Sequence, residues 1–279
     1  MTHRVFVAGA SGAIGVPLVR ALLAAGQQVT ALTRTPDKVA LLQALGAEAA
    51  IADALDAAAL THAVAAARPT HVIHQLTALP KTGVRSGRDL IGTNRLRTEG
   101  TRHLLAASIE AGATRFIGGS FAPLHGADRS QMPEGPERDA IDAVLSMESQ
   151  ILGASQQGRI EGLVLRYGLF YSSDNPATEH MLKLVRRRML PVVRGDQSLL
   201  PCIHVDDAVS ATVAALDHGR PGTAYNIVDD RAVSMTEIVQ GLAERAGAPP
   251  PVTVPAWIPR LLAPYLARIT AQLAPGRSE

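Results

Sequence analysis

The sequence predicts an α/β fold in which a doubly wound parallel sheet is covered by helices on both faces. Three observations support this prediction: short apolar runs alternate with longer segments of helical spacing, glycines stand at the junctions, and the alternation begins at the first residues. Alternating strands and helices indicate βαβ units, whose right-handed crossovers place successive strands parallel in one sheet.

The elements of the first half follow in order. The run Arg4–Ala8 is typical of a buried strand, and the helix predicted over Ile14–Ala25 ends at Gly26, a glycine suited to a helix C-terminus. The same alternation predicts the elements that follow, which are the strand Val29–Thr33, the helix Pro36–Leu45, the strand Glu48–Ile51, the helix Asp56–Ala66, the strand His71–His74, the helix Thr93–Ala111 and the strand Arg115–Gly118.

In the second half the pattern continues and then weakens. It predicts the helix Ala140–Ser155, the strand Gly162–Arg166, and helices over Glu179–Arg188, Asp207–Leu216 and Ser234–Ala246. Because strict alternation is lost after residue 168, we predict a main domain over residues 1–167 and a small, interleaved C-terminal lobe over residues 168–279. A Pro-rich connector over Ala248–Pro255 precedes an amphipathic helix predicted from Trp257.

Composition excludes several classes of protein. The chain has 279 residues, of which 47% are hydrophobic, and its 27 basic and 25 acidic residues leave a net charge of +2. We expect no nucleic-acid surface from so even a balance, and no membrane span, since no apolar run approaches the roughly 18–20 residues that a bilayer requires. The single cysteine, Cys202, indicates a reducing, cytoplasmic compartment. The nine histidines show no metal-ligand spacing, so we expect no metal site.

A glycine-rich loop lies directly after the first predicted strand and opens the first helix. Gly9 permits a tight turn, Gly12 lets the backbone approach a pyrophosphate, and Gly15 lets the helix pack closely on the strand. The backbone N–H groups of such a loop and the helix N-terminus favour a phosphate. We therefore predict a Rossmann-type dinucleotide site rather than an ordinary turn, and its remaining loop members are Ser11, Ala13 and Ile14.

The end of the second predicted strand bears on the choice of dinucleotide. An acid about 20 residues beyond the loop suits the ribose of NAD, whereas an arginine suits the 2′-phosphate of NADP. Thr33 and Arg34 stand there, and no carboxylate follows before Asp37. We predict NADP as the preferred cofactor, with Arg34 on its phosphate and NAD as the alternative cofactor. A solvated charge at the start of a helix is the other interpretation of Arg34.

Further segments carry a pattern that extends over most of the chain, namely Ala52–Asp56, His74–Ala78, Gly100–Leu105, Arg166–Tyr171 and Ile203–Asp207. Together with the loop GASGAIG, they resemble the short-chain dehydrogenase/reductase superfamily, in particular its extended or atypical NAD-dependent epimerase/dehydratase-like group. The resemblance implies that Asp53, followed by Ala54, accepts a hydrogen bond from the adenine amino group. It also implies that the backbone of Gln75, Leu76 and Thr77 runs beside the cofactor ribose.

The chain departs from this family where catalysis is expected. The family pairs a tyrosine with a lysine four residues later, whose charge lowers the pKa of the tyrosine. No lysine here follows a tyrosine at that spacing, as the positions show: Lys38, Lys81 and Lys183. When Glu148 is matched to the glutamate of the family's helix, Ala140 and Val144 take the places of the pair. Arg97 stands where an asparagine is common, and Leu200 stands where nucleotide-sugar enzymes carry an arginine, which disfavours sugar-nucleotide chemistry.

A few side chains are candidates for the missing chemistry. Ser120 stands at the place of the family's catalytic serine, which implies a hydroxyl that polarises a substrate carbonyl; a hydroxyl that caps a loop is the alternative. Tyr167 and Tyr171 are candidate proton sources, although tyrosines at strand ends often pack as half-buried aromatics. His125 is a further candidate acid or a simple loop histidine, and His204 is expected to hold the chain by hydrogen bonds to the aspartates after it.

These observations predict an NADP-preferring oxidoreductase that transfers a hydride to a small carbonyl or enone-type molecule, with the cofactor in the main domain and the substrate in the C-terminal lobe. Two alternatives remain open. One is a non-catalytic NADP-binding sensor that kept the loop and lost the catalytic pair, and the other is an epimerase or dehydratase with relocated acid–base groups. The oligomeric state does not follow from the sequence, and a homodimer is one of the alternatives.

Overall fold

Seven parallel strands form the central sheet of the computed structural model, which describes residues 2–80, 84, 86–123, 134–174, 176–196, 199–255 and 257–258. The strands of the described residues are β1 (Arg4–Ala8), β2 (Gln28–Thr33), β3 (Glu48–Ile51), β4 (His71–His74), β5 (Arg115–Phe121), β6 (Glu161–Tyr167), β7 (Leu169–Tyr171), β8 (Val192–Val193), β9 (Cys202–His204), β10 (Ala224–Ile227) and β11 (Thr253–Val254). The sheet has the order β10-β6-β5-β4-β1-β2-β3, with every neighbouring pair parallel. The predicted doubly wound α/β fold is confirmed.

Helices connect these strands and cover the sheet. Those in the described residues are α1 (Gly15–Ala24), α2 (Val39–Ala44), α3 (Ala57–Ala67), α4 (Ile91–Arg95), α5 (Thr101–Glu110), α6 (Pro136–Gln156), α7 (Pro176–Arg186), α8 (Val205–Ala214) and α9 (Met235–Arg245). A π-helical turn, Leu96–Gly100, joins α4 to α5, where the sequence predicts one regular helix over Thr93–Ala111. A π turn accommodates an extra residue, and residue spacing alone does not reveal it.

The sheet separates two hydrophobic cores because successive side chains of a strand point to opposite faces. On one face Val5 of β1 shares a buried cluster with Leu18 and Leu22 of α1. On the other face Phe6 shares a cluster with Leu104 of α5 and Met147 of α6. Each fully buried side chain of this size stabilises the fold by about 1.5–3 kcal/mol, so the two cores hold the strand ends in fixed positions.

The chain after residue 168 forms smaller units and then returns to the sheet. β7 pairs with β9, and β8 pairs with β11, in two parallel pairs. β10 joins the central sheet beside β6. The sequence pattern does not predict these strands, since the regular alternation of strands and helices is lost after residue 168. The boundary between main domain and C-terminal lobe at residues 167 and 168 stays a prediction.

The strand order places a crevice at the carboxyl edge of the sheet. From β1 the chain continues to β2 and β3 on one side, whereas β4, β5 and β6 extend the sheet on the other side. Ligands of such open sheets bind where the strand order reverses, outside the carboxyl ends of the strands. The segments that follow β1 and β4 therefore line the centre of the candidate site. No helix in the described part of the chain is long and apolar enough to cross a membrane.

Candidate functional site

The loop after β1 needs glycine at both of its ends. Gly9 has a φ of +92°, in the left-handed region, and a Cβ atom on it would lie 2.5 Å from the carbonyl oxygen of Gln75. A Cβ atom on Gly15 would overlap the carbonyl oxygen of Gly9 and the backbone of Ala10. The loop therefore passes close to the segment after β4 and folds back on α1, which any larger side chain would prevent.

The middle of the loop presents backbone to the crevice. Gly12 donates its N–H to the carbonyl oxygen of Gly9 at 3.0 Å, and Gly12 and Ala13 are exposed. Ser11 is half-buried, whereas Ile14 is buried and anchors the start of α1. The exposed backbone and the positive end of α1 fit a pyrophosphate group, since these features stabilise an anion without a charged side chain.

The residues after β2 form a tight turn that leaves Arg34 outside. Thr33 is buried, its hydroxyl accepts from the Thr35 N–H at 3.1 Å, and it donates to the Thr35 carbonyl oxygen at 3.3 Å. Arg34 is exposed and has no hydrogen-bond or ion-pair partner among the described residues. The Arg34 side chain is thus exposed where β2 ends next to β1, at the carboxyl edge of the sheet, with its hydrogen-bonding capacity unused by the described residues.

The segment after β3 is fixed by two local hydrogen bonds. Asp53 is half-buried, and one of its carboxylate oxygens accepts from the Leu55 N–H at 2.9 Å. The carbonyl oxygen of Ala54 accepts from His103 Nδ1 at 3.1 Å, which ties the segment to α5. Both residues therefore lie at the same edge of the sheet as the glycine loop, on the side where β2 and β3 end.

A buried histidine shapes the segment after β4. His74 accepts from the Leu76 N–H through Nδ1 at 3.2 Å, so its proton is on Nε2, which lies 2.8 Å from the Thr101 hydroxyl. Burial and, to a smaller extent, the charge of Arg97 lower the pKa of His74 to about 4. The neutral ring fixes Leu76, while Thr77 is exposed and Gln75 donates its N–H to the carbonyl oxygen of Ala8 at 2.7 Å.

Ser120, near the end of β5, is buried and bonded to α6. Its hydroxyl donates to the buried carboxylate of Glu148 at 2.5 Å. Arg166 of β6 donates to both oxygens of the same carboxylate, at distances between 2.7 and 3.2 Å. Because a serine hydroxyl has one hydrogen, the hydrogen bond to Glu148 uses the donor that a substrate carbonyl would need. The predicted polarising role of Ser120 stays a prediction that this geometry does not favour.

Tyr167 lies in the middle of a chain of hydrogen bonds that runs from Gln75 to Ala208. Gln75 Nε2 donates to the Tyr167 hydroxyl at 3.0 Å, and that hydroxyl lies 2.7 Å from the Thr212 hydroxyl. Thr212 donates to the carbonyl oxygen of Ala208 at 2.6 Å, so Tyr167 donates to Thr212. Burial raises the pKa of Tyr167 to about 12. The chain fixes the Gln75 side chain beside the crevice and directs the Tyr167 proton into the core.

Tyr171 belongs to the small β7–β9 pair. Its ring is 42% exposed and lies edge-on to His204, with 5.2 Å between the ring centroids. Its hydroxyl donates to Asp229 at 3.0 Å, and desolvation together with this carboxylate raises the pKa of Tyr171 to about 12. The expectation for His204 is confirmed, since its Nδ1 accepts from the Asp206 N–H at 3.2 Å at the start of α8.

All three predicted catalytic hydroxyls thus donate their protons to protein acceptors. These acceptors come from distant parts of the chain, and the sequence analysis missed them in this role: Glu148, Thr212 and Asp229. In α6, two buried apolar residues, Ala140 and Val144, stand where the resemblance puts the family's tyrosine and lysine. Leu200 is likewise buried and bridges to Val233. His125 and Lys81 lie outside the described residues.

Comparison with known proteins identifies the family. Residues 5–228 match the NAD dependent epimerase/dehydratase family, and the chain belongs to that family. It is 36% identical to the 3-diazoavenalumate denitrifying reductase of a Streptomyces species, over 98% of this chain and 91% of the relative. It is 23% identical to the 2-alkyl-3-oxoalkanoate reductase of Stenotrophomonas maltophilia, over 88% of this chain and 76% of the relative.

Solved structures share the fold at lower identity. UDP-glucose 4-epimerase from Thermus thermophilus, in complex with NAD, has a TM-score of 0.71 and 23% identity, over 90% of this chain and 85% of that one. A Bordetella bronchiseptica enzyme in complex with NAD and UDP has a TM-score of 0.72 and 17% identity, over 98% of this chain and 94% of that one. The family and its reductases support an NAD(P)-dependent enzyme of the oxidoreductase or epimerase type.

Proposed function

We propose that the protein is an NADPH-dependent reductase that delivers a hydride to a small electrophile of the carbonyl or enone type. The observation that carries this proposal is the contrast within the crevice: the loop from Gly9 to Gly15 fits a dinucleotide, whereas the nearby hydroxyls are bonded to protein acceptors. Bound nicotinamide supplies the hydride. The chain's own part is to hold the cofactor and to position the electrophile.

The preference for NADP rests on Arg34. This side chain is exposed beside the loop, no carboxylate stands at the end of β2, and Thr33 and Thr35 fix the turn that presents the guanidinium. A charge-assisted hydrogen bond to a 2′-phosphate contributes about 1.5–3 kcal/mol, which corresponds to at least a tenfold difference in affinity.

The position of the hydroxyls favours an enone over a simple ketone. Reduction of a ketone produces an alkoxide, which an acid of the enzyme usually protonates. Reduction of an enone at its β-carbon gives a delocalised enolate, which water protonates without help from a side chain. A substrate of this kind suits a site where Ser120, Tyr167 and Tyr171 donate their protons to protein acceptors.

A second candidate substrate is a diazo compound. The 36% identical relative is named as a denitrifying reductase of 3-diazoavenalumate. In general chemistry, an arenediazonium ion that accepts a hydride gives the arene and N₂, so the charge balances and no proton is needed. The absence of a free acid among the described residues of the crevice therefore agrees with this electrophile as well.

One set of measurements tests these proposals. NADPH consumption is followed with a ketone, an enone and an arenediazonium salt, and the products are identified as alcohol, saturated ketone or arene with N₂. We expect turnover of the enone or the diazonium salt to exceed that of the ketone. If NADPH binds but none of the three probes consumes it, the protein is a sensor rather than a reductase.

The cofactor preference is tested by titrating NADPH and NADH against the wild type and Arg34→Gln. We expect NADPH to bind the wild type at least about tenfold more tightly, and the variant to lose that margin while its affinity for NADH is unchanged. Arg20→Gln, which removes an exposed arginine of α1, is the matched control. Equal affinities of the wild type for both dinucleotides would show that the proposed preference is wrong.

A further inference from the structure

Arg97 faces the segment that leaves β4. Thr93, Arg97 and Thr101 follow one another at four-residue spacing, which places them along one side of the α4–α5 helix. The Thr93 hydroxyl accepts from the Ala78 N–H at 2.9 Å, and the Thr101 hydroxyl bonds to His74 Nε2 at 2.8 Å. Arg97 stands between these two contacts, so its side chain is directed at the start of the segment after β4, beside the crevice.

Arg97 differs from three other arginines that are buried, half-buried or close to it in the chain. Each of these three has a carboxylate partner: Arg95 with Glu99, Arg115 with Glu161, and Arg166 with Glu148. Arg97 is half-buried and has no ion-pair or hydrogen-bond partner among the described residues. Burial lowers its pKa to about 10, and the guanidinium is still charged at neutral pH.

An unpaired charge in such a place destabilises the fold, because the guanidinium loses water without gaining a counter-ion. Groups held at such a cost are common in binding sites, where a ligand supplies the missing partner. The π-helical turn that holds Arg97 packs against α6, the helix in which Ala140 and Val144 take the places of the family's tyrosine and lysine. The positive charge therefore lies on the side of the crevice where those side chains are absent.

The position also separates this charge from the phosphates of a dinucleotide. The glycine loop follows β1 and Arg34 follows β2, whereas Arg97 lies beyond β4, on the opposite side of β1. In an open sheet of this order, the dinucleotide phosphates belong to the β1–β2 side. An anion at Arg97 then comes from the molecule that receives the hydride.

We propose that Arg97 binds an anionic oxygen group of the substrate, a carboxylate, and that the enzyme acts on acidic electrophiles. This inference uses the proposed function only to name the molecule that carries the carboxylate. The binding of the anion is tested without turnover, so it stands or fails separately from the reductase activity.

The experiment uses calorimetry to measure the binding of small ligands to the NADPH-saturated protein. The ligands are aryl and alkyl carboxylates and their neutral amides, and the first pair is benzoate and benzamide. We expect benzoate to bind the wild type about tenfold more tightly than benzamide, and Arg97→Met to remove this difference. Arg97→Lys should keep part of it. The control Arg95→Met, which removes an exposed arginine paired with Glu99, should keep all of it.

Thermal unfolding of the same variants gives an independent readout. Arg97→Met is expected to unfold at a higher temperature than the wild type, because it removes an unpaired, half-buried charge. An arginine with a purely structural role would give the opposite shift and leave the carboxylate preference unchanged, and that result would overturn the proposal.

The titration of NADPH against each variant separates the two sources of an anionic oxygen. If Arg97→Met weakens NADPH binding about tenfold while the carboxylates and amides bind alike in every variant, the anion is a cofactor phosphate and the assignment to the substrate is wrong. If no carboxylate of the set binds the wild type more tightly than its amide, the proposal is also wrong.

Discussion

The two sides of the crevice are held by different kinds of interaction. On the β1–β2 side the loop and the turn are fixed by contacts between near neighbours, such as Gly12 with Gly9 and Thr35 with Thr33. On the β5–β6 side the contacts join residues that are 28 positions apart, as in Ser120 with Glu148, or 92 apart, as in Gln75 with Tyr167. The first side therefore depends on local backbone shape, whereas the second depends on the assembled sheet and helices.

The largest expected effect concerns the backbone shape of the β1 side. In Gly15→Ala, the new Cβ atom would overlap the carbonyl oxygen of Gly9, so the loop must shift away from its position beside α1. We expect the dissociation constant for NADPH to rise by about 100-fold or more, as measured by fluorescence titration.

The matched control for this change is Gly241→Ala in α9, where an added Cβ atom meets nothing within 4 Å. Alanine in a helix interior stabilises by about 0.5–1 kcal/mol relative to glycine, so this variant should unfold at a slightly higher temperature and bind NADPH normally. If Gly15→Ala bound NADPH as well as the control does, the loop would not be the dinucleotide site.

The next effect concerns the side-chain contacts of the β5–β6 side. Glu148→Ala leaves the Arg166 guanidinium, whose side chain is 25% exposed, and the Ser120 hydroxyl without their acceptor. Removing one partner of a buried pair destabilises by about 3–5 kcal/mol, and the partial exposure of Arg166 favours the lower end of that range.

Urea unfolding measures this loss of stability in Glu148→Ala. Titration with NADPH should show that the variant binds NADPH with an affinity within about threefold of that of the wild type. The control Glu179→Ala removes an exposed ion pair with Lys183 of α7, for which a loss of less than about 1 kcal/mol is expected. Similar losses in the two variants would show that the Glu148 cluster does not hold this side of the crevice.

This contrast also explains how much the sequence predicts. The spacing of glycines and apolar residues predicts the glycine loop and the strands at Arg4–Ala8, Glu48–Ile51 and His71–His74 with the bounds that the structure has, because those features follow from local conformational preferences. The sequence pattern ends β5 at Gly118, whereas its pairing with β6 extends it to Phe121.

The hydroxyl partners could not be predicted in the same way. Glu148 is recognisable as the glutamate of a family helix, but its bonds to Ser120 and Arg166 arise only when α6 packs on the ends of β5 and β6. The burial of Tyr167 likewise depends on α8, which supplies Thr212 from 45 residues further along the chain. Such contacts depend on tertiary packing, and residue spacing carries no signal for them.

The segment after β4 is expected to make stability depend on pH, by an amount similar to or smaller than the loss in Glu148→Ala. Burial lowers the pKa of His74 to about 4 in the folded protein, whereas the unfolded histidine titrates near 6.5. The unfolded chain therefore binds a proton first as the pH falls, so this contribution to stability is complete above pH 6.5 and is lost between about pH 6.5 and 4. The loss from His74 amounts to about 3 kcal/mol.

Urea unfolding between pH 4 and 7 measures the slope of the free energy of unfolding against pH. His74→Gln should reduce the slope by about one proton, and His62→Gln, which removes an exposed imidazole of α3, should leave it unchanged. His71, whose pKa burial also lowers to about 4, contributes to the remaining slope in every variant. An identical slope in wild type and His74→Gln would contradict the neutral state assigned to His74.

The smallest effect separates a structural tyrosine from a catalytic one. Tyr167→Phe removes the acceptor of Gln75 Nε2 and the donor to Thr212, so the free energy of unfolding should fall by about 2 kcal/mol, as for two lost hydrogen bonds. Turnover of the best electrophile should stay within about threefold of the wild type, since the tyrosine proton is directed into the core. Tyr171→Phe, at an exposed hydroxyl, serves as the comparison and should change stability less. A fall in kcat of about 100-fold in Tyr167→Phe would show that this hydroxyl turns towards the substrate and supplies the proton, and the β5–β6 side would then be catalytic rather than supporting.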